Sequence, residues 1–381
     1  MTSKTSKPKK AFSYHSYELA FCGFSGSGKT TLIESLIKKM SLRYKIGYLK
    51  HDAHKFTIDY LGKDSNRASV AGAVSIGITS SEKSAYIHHS ETNNFLTKGQ
   101  YIDSDFLFIE GFKYKLNQKI LVLGEKKTKE KILEDFHSGK IENVLATVGH
   151  NNDAPLKNIP HFQRDDIDSL SLFIEKHFRN LANIPTFGLI LAGGKSSRMK
   201  SDKGALQYHE KYQTEHIKEL MSDFCDDVYV SCRENQRDLP HLRNINQIHD
   251  QYLGVGPMGG ILSAFNKHPN AKWLVVAVDL PYLQKGTLQR LFKEHNPFKL
   301  ASCFINPEKG WPEPLCTLYN PKAKSKFLQF LALEMSCPRK VLFNSEINAL
   351  KLNGLDLENA NTPEDFQKAN DHFKNSEEAT L

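Results

Sequence analysis

The chain has 381 residues, of which 39% are hydrophobic and 25% charged, which is enough for two globular domains that each bury a core. No apolar run approaches bilayer-spanning length, and the opening MTSKTSKPKK carries charge without an apolar core, so neither a membrane span nor a secretory signal is expected. The net charge of +8 suits anionic small molecules such as nucleotides, no aromatic-interleaved basic module points to nucleic acid, and six scattered cysteines without a Cys-x-x-Cys pair argue against a zinc site or disulfide framework and for a reducing cytoplasm.

Residues 1–15 read as a disordered basic tail. An apolar run at 17–22 then enters GFSGSGKT at 23–30, a complete G-x-x-x-x-G-K-T phosphate loop, followed at 31–37 by apolar residues at helical spacing. In such a loop the backbone around Gly23, Gly26 and Gly28 cradles phosphates and Lys29 reaches the β- and γ-phosphates. The Thr30 hydroxyl ligates magnesium, and Thr31 continues into the helix. The first domain is therefore expected to bind a nucleoside triphosphate.

A second strand at 46–49 runs into Lys50, His51, Asp52 and His54. The two histidines can be read as metal ligands or as a solvated loop pair. Asp52 and Asp59 follow the strand end, where P-loop proteins place groups that touch magnesium or nucleotide. Residues 74–78 return to an apolar strand. The buried run 105–109 stops at Glu110, a position that suits a Walker-B-type carboxylate and equally a helix-capping acid. A strand at 119–123 keeps the βαβ rhythm, and helical periodicity at 165–178 closes the unit. A linker containing Pro185 sets the expected boundary near 183, giving domains at 16–183 and 184–381.

The wording of this half is specific. GFSGSGKTTLIESLI, IGYLKHDAHKFTID, GKDS, AGA and IEGFK occur in order and resemble the MobB family, the GTP-binding adaptor of molybdopterin-guanine dinucleotide synthesis. That resemblance implies that Lys29, Thr30, Asp59 and Glu110 contact GTP and magnesium.

The second half opens with a strand at 187–191 and a bare glycine turn. Lys195, Arg198 and Lys203 follow closely, with Asp202 among them. Main-chain N–H groups and cations after a strand suit a nucleotide's phosphates, although an ordinary strand–turn with a solvated basic helix start has the same spacing. A helix is expected at 212–224 and a strand at 227–231. Asp250 precedes a loop rich in glycine at 253–261, whose backbone can approach a base or ribose. The strand 273–278 ends at Asp279, a natural magnesium ligand at a sheet edge, though Asp before Pro281 also suits a turn. Asn359-Ala-Asn-Thr-Pro-Glu-Asp365 reads as a helix N-cap with proline in the first turn.

LAGGKSSRMKSDK, the 250–261 segment, DLPY at 279–282, GWPEPL at 310–315 and NANTPED at 359–365 together resemble the MobA family of molybdenum cofactor guanylyltransferases. The implied fold is α/β throughout, a P-loop NTPase-like parallel sheet followed by a Rossmann-like nucleotidyltransferase sheet. The implied reaction joins GTP to molybdopterin or Mo-molybdopterin with release of pyrophosphate. Leu191, Ala192, Gly193, Gly194, Lys203, Asp250, Asp279 and Asn361 would contact substrate, GWPEPL would lie on the acceptor side of the cleft, Asp279 would hold Mg2+, and Arg198, Lys203 and Asp279 would be catalytic. Molybdoenzyme apoproteins or their chaperones would be the onward partners. Three rival readings remain: a cytidylyltransferase using CTP, a sugar-phosphate nucleotidyltransferase, and a GTP-binding delivery adaptor with a degenerate transferase half. Lys200 and Arg233, where the family often has Gly and Asn, keep the last of these open.

Overall fold

The computed structural model describes residues 12–51, 59–89, 94–150, 154–192, 203–352 and 354–378. The chain divides into two units, Met1–Phe178 and Arg179–Leu381. Among the described residues, no helix is long and apolar enough to cross a membrane.

In the first unit the elements run β1 (Glu18–Cys22), α1 (Lys29–Met40), β2 (Ile46–Lys50), α2 (Asp64–Val70), β3 (Ser75–Thr79), β4 (Ser84–His88), α3 (Asn94–Gly99), β5 (Phe106–Glu110), β6 (Lys119–Val122), α4 (Lys126–His137), β7 (Val144–Gly149), β8 (His161–Gln163) and α5 (Ile167–Leu181). Six strands pair in parallel in the order β2-β5-β1-β6-β7-β8. All residues of β5 and β6 are buried, as a parallel sheet covered on both faces requires, and this is why these strands read as unbroken apolar runs. Because every strand runs the same way, their carboxyl ends share one edge. That edge receives Gly23, Lys50, Glu110 and the residue after β8.

The strand expected at 74–78 forms as β3, but it pairs only with β4, in an antiparallel hairpin outside the sheet. Of its apolar residues Ile76 is buried while Ile78 is exposed. The apolar positions alternate, so one face only could be covered, which is the pattern of a hairpin and not of a central parallel strand.

The second unit runs β9 (Thr186–Leu191), α6 (Gln213–Ser222), β10 (Asp227–Cys232), β11 (Asn246–His249), α7 (Pro257–Lys267), β12 (Lys272–Ala277), α8 (Lys285–Lys293), β13 (Ala301–Ile305), β14 (Pro312–Tyr319), α9 (Ala323–Ala332), α10 (Pro338–Phe343), β15 (Asn348–Lys351) and α11 (Pro363–Glu378). Its seven strands lie in the order β11-β10-β9-β12-β14-β13-β15. β9 to β12 are mutually parallel where they pair, and β14 is antiparallel to both its neighbours. One face of the sheet packs Ile217, Met221, Leu288 and Leu291 from α6 and α8, and the other packs Met258, Phe265 and Phe327 from α7 and α9. The result is a three-layer α/β unit in which the central strand β12 has β9 on one side and β14 on the other.

Candidate functional site

In the first unit the turn between β1 and α1 is built by glycine. Gly26 and Gly28 take φ of 75° and 81°, a region open to glycine at little cost. A Cβ at Gly23 would lie 2.4 Å from Ser27 Oγ and 2.6 Å from the Val122 carbonyl oxygen, so the loop can fold tightly over the end of β6 only without a side chain there. Lys29 Nζ donates to the Phe24 carbonyl at 3.0 Å, folding the lysine back across its own loop.

The Thr30 hydroxyl donates to the Glu110 carboxylate, 2.9 Å from Oε2 and 3.1 Å from Oε1. Tyr48 from β2 donates to Oε2 at 2.8 Å, and Lys50 Nζ lies 3.3 Å from Oε1. Burial works against ionisation of Glu110. The hydrogen bonds from Tyr48 and Thr30 and the Lys50 charge outweigh it and hold the carboxyl below its usual range. The structure thus joins Thr30 and Glu110, which lie 80 residues apart in the chain. Thr31 is exposed on the first turn of α1.

Asp59 accepts from Ser65 Oγ at 2.8 Å and the Tyr60 amide at 2.9 Å, while its Oδ2 is buried with no partner among the described residues. No described contact joins it to Lys29, Thr30 or Glu110. His51 packs its ring against Phe112 at 4.4 Å, and Asp52 and His54 lie outside the described residues.

The sequence reading missed Arg164. It follows β8, yet Nη2 reaches past the end of β7 to the carbonyls of Ser27 at 2.5 Å and Leu123 at 3.0 Å. A Cβ at Gly28 would lie 1.7 Å from its Nη1, so the guanidinium occupies the space that the bare glycine leaves. No signal near the phosphate loop announces this residue, because only the strand order brings β8 to the same edge. Lys113 closes the IEGFK motif. Its ammonium sits 3.4 Å from the centroid of the Phe24 ring, and burial, together with nearby Lys29, lowers its pKa.

In the second unit Lys203 opens a single turn of 3-10 helix and bridges two elements. Its Nζ donates to Asp279 Oδ2 at 3.0 Å and to Asn361 Oδ1 at 2.5 Å. Both side chains of the ion pair are about four-fifths buried, at 22% and 19% exposure. The Ala360 amide donates to the Asp279 carbonyl at 2.9 Å, which ties the 359–365 segment to the end of β12. The Asp365 carboxylate accepts from the amides of Asn361 and Thr362, and this fixes Asn361 in place at the start of α11. Three residues from three distant motifs therefore meet.

The Ala192 amide donates to the Ser231 carbonyl at 3.3 Å, and Leu191 is paired with both β10 and β12. The sheet already uses these two backbone groups. Gly193 and Gly194 lie outside the described residues, as do Lys195, Arg198, Lys200 and Asp202.

Asp250 follows β11 and accepts from Ser231 Oγ at 2.6 Å. Burial raises its pKa, against the pull of that hydrogen bond and of Arg233. Gly259 and Gly260 let α7 come down on this edge. A Cβ at Gly260 would lie 2.4 Å from Ser231 Oγ and 2.8 Å from Leu191 Cδ2.

Two further groups beside Asp279 were not foreseen. The Tyr208 hydroxyl is buried with no hydrogen-bond partner among the described residues, and burial together with the Asp279 charge raises its pKa. Glu313 comes from GWPEPL, now seen as the start of β14. Burial raises its pKa, Asp279 adds to the rise, and the Leu315 amide and Arg339 oppose it. No local pattern announced β14, because its two prolines hide an edge-like strand start.

Comparison with known families matches residues 18–149 to molybdopterin guanine dinucleotide synthesis protein B and residues 188–346 to a MobA-like NTP transferase domain. The molybdenum cofactor biosynthesis bifunctional protein of Synechocystis sp. is 33% identical over 50% of this chain, which spans 55% of that relative's length. A probable molybdenum cofactor guanylyltransferase of Halalkalibacterium halodurans is 31% identical, over 36% of this chain and 71% of that protein. A probable molybdopterin-guanine dinucleotide biosynthesis adapter protein of Bacillus subtilis is 30% identical, over 38% of this chain and 83% of that protein.

Proposed function

The chain belongs to the molybdenum cofactor biosynthesis family, with a MobB domain ahead of a MobA-like NTP transferase domain, and on that premise we propose that it transfers GMP from GTP to molybdopterin or Mo-molybdopterin. Pyrophosphate and the guanine dinucleotide form of the cofactor are the products. The MobB unit binds a second GTP as an adaptor. We place the reaction in the cytoplasm, in keeping with six free thiols, and take 16–183 and 184–381 as the domain extents.

The observation that carries this reading is the convergence of Lys203, Asp279 and Asn361 at the carboxyl edge of the second sheet. The attacking group is a phosphate that is already anionic near neutral pH, so no general base is needed. What the site must do is bring two anions together and stabilise the charge that develops. Lys203 supplies a fixed positive charge, held in place by its two partners. Arg198 and the amides of Gly193 and Gly194, next in the sequence after β9, would meet the phosphates of the nucleotide. Asp250 and the loop before α7 would meet ribose or base.

Magnesium suits these donors. Among the described residues only Lys203 donates to the Asp279 carboxylate, leaving a hard oxygen for a cation. In the first unit the Thr30 hydroxyl and the Glu110 carboxylate, now hydrogen-bonded to each other, are the hard oxygens that would hold the ion. When bound, the ion would neutralise phosphate charge and orient the reacting groups. Lys29 would leave the Phe24 carbonyl for the phosphates of the adaptor's nucleotide.

The test is incubation with molybdopterin, magnesium and either GTP or CTP, following pyrophosphate and identifying the nucleotide on the product. GMP on the pterin supports the proposal. CMP would replace the donor, and GTP binding without pyrophosphate release would leave a delivery adaptor.

A further inference from the structure

β14 runs antiparallel to β12, with Val276 opposite Cys316. β12 ends at Ala277, just before Asp279, and β14 begins at Pro312, so Glu313 lies near Asp279, whose charge raises its pKa. Trp311 immediately precedes β14. β9, which leads to the glycine turn and Lys203, borders β12 on the other side. Asp279 thus separates a β9 side, where the donor's phosphates are proposed to lie, from a β14 side.

Trp311 stands on that second side and is 45% exposed, while the other tryptophan, Trp273, is fully buried. Its backbone is held by a closed loop. The Asn306 amide donates to the Trp311 carbonyl at 2.8 Å and the Gly310 amide to the Asn306 carbonyl at 2.9 Å. Asn306 Oδ1 accepts from the amides of Glu308 and Lys309, and Gly310 closes the turn at φ 65°. Arg339 Nε donates to the Pro312 carbonyl at 3.3 Å, and Nη2 lies 3.7 Å from Glu313. The same guanidinium is 5.5 Å from the centroid of the Trp311 ring, and Lys309 Nζ is 5.7 Å away. No described residue accepts a hydrogen bond from the indole N–H.

An anchored, half-exposed indole with a free N–H serves no core. It offers a flat face for a planar ring, with the Arg339 cation between the indole and Glu313, in contact range of both. We propose that Trp311 is the stacking platform for the heteroaromatic ring of the acceptor, with Arg339 meeting the acceptor's phosphate as it approaches Asp279. The proposal rests on the guanylyltransferase reading. In it the exposed Lys309 ammonium yields the ring face to the ligand.

The probe is pterin-6-carboxylic acid, a planar anionic heterocycle, measured with the full-length protein by equilibrium dialysis and by tryptophan fluorescence. The wild type should bind it saturably with quenching of Trp311, while emission from buried Trp273 persists. Ring stacking is worth about five- to a hundredfold in binding, so Trp311→Ala should weaken the probe by at least about fivefold and Trp311→Phe by less. The KM for GTP should stay within about twofold. Unfolding midpoints of the variants check the fold. Absence of saturable binding by the wild type, unchanged binding by Trp311→Ala, quenching by inorganic phosphate alone, or a rise confined to the KM for GTP would each overturn the platform. GMP transfer by wild type and Trp311→Ala with the same KM for the pterin would sink the platform alone. Trp311-dependent binding of the probe without any GMP transfer would sink the functional reading and leave the platform standing.

Discussion

Gly259, in the first turn of α7, separates two physical expectations of opposite sign. By helix propensity alone, Gly→Ala stabilises by up to about 1 kcal/mol. The structure argues the reverse. A Cβ there would lie 2.3 Å from the Tyr252 carbonyl oxygen and 3.4 Å from Val255 Cγ2. The first of these is backbone, so it cannot be relieved by a rotamer change, and the loop leading into α7 must move. Overpacking of this kind costs about 1–3 kcal/mol. Setting the propensity gain against it leaves a net loss of about 0.5–2 kcal/mol. For a unit of this size that lowers the thermal midpoint by about 1–8 °C. The displaced loop carries Gly254 and Gly256 at φ of 78° and 61° and follows Asp250, so the KM for GTP should rise as well. Gly286 in α8 is the control, because a Cβ there meets nothing within 4 Å. Gly286→Ala should be neutral or slightly stabilising. Differential scanning calorimetry and steady-state kinetics on both variants decide the matter. If Gly259→Ala stabilises as Gly286→Ala does and leaves the KM for GTP unchanged, the close approach of α7 to the cleft loop is wrong.

Asp279→Ala should reduce GMP transfer by about a hundred- to a thousandfold while GTP affinity changes little, since charge stabilisation matters most as the reaction proceeds; activity near wild type in a pyrophosphate assay would remove Asp279 from the chemistry. Arg164→Ala should weaken GDP and GTP binding by the first unit equally, by about tenfold, because the guanidinium grips the outside of the phosphate loop; calorimetric titration showing loss of GTP alone would mean a direct γ-phosphate contact. Glu110 has a lowered native pKa, so its stabilising contribution is complete above the unfolded value of about 4.3 and is lost as pH falls through the native one. Denaturant midpoints measured from pH about 6 down to about 3 should therefore fall more steeply for the wild type than for Glu110→Gln, and parallel curves would refute the hydrogen-bonded carboxylate.

Much of this molecule is a property of local sequence. The phosphate loop, its glycines and the apolar strands before and after it are set by short-range backbone sterics and by burial on two faces. These act over a few residues, so β1, α1, β5, β6, β9 and β12 were legible in chain order. The Asp279 and Asn361 motifs were legible for the same reason: each is a strand end or a helix start with its own turn chemistry. Tertiary structure alone decided which of these ends meet. Lys203, Asp279 and Asn361 come together because β9 and β12 are neighbours and the Ala360 amide ties the last motif to that edge. Two further placements depend on strand order: β8 at the phosphate-loop edge, which delivers Arg164, and the antiparallel insertion of β14, which delivers Glu313 together with Trp311. Strand order is set by long-range packing of whole faces, and no window of the sequence contains it.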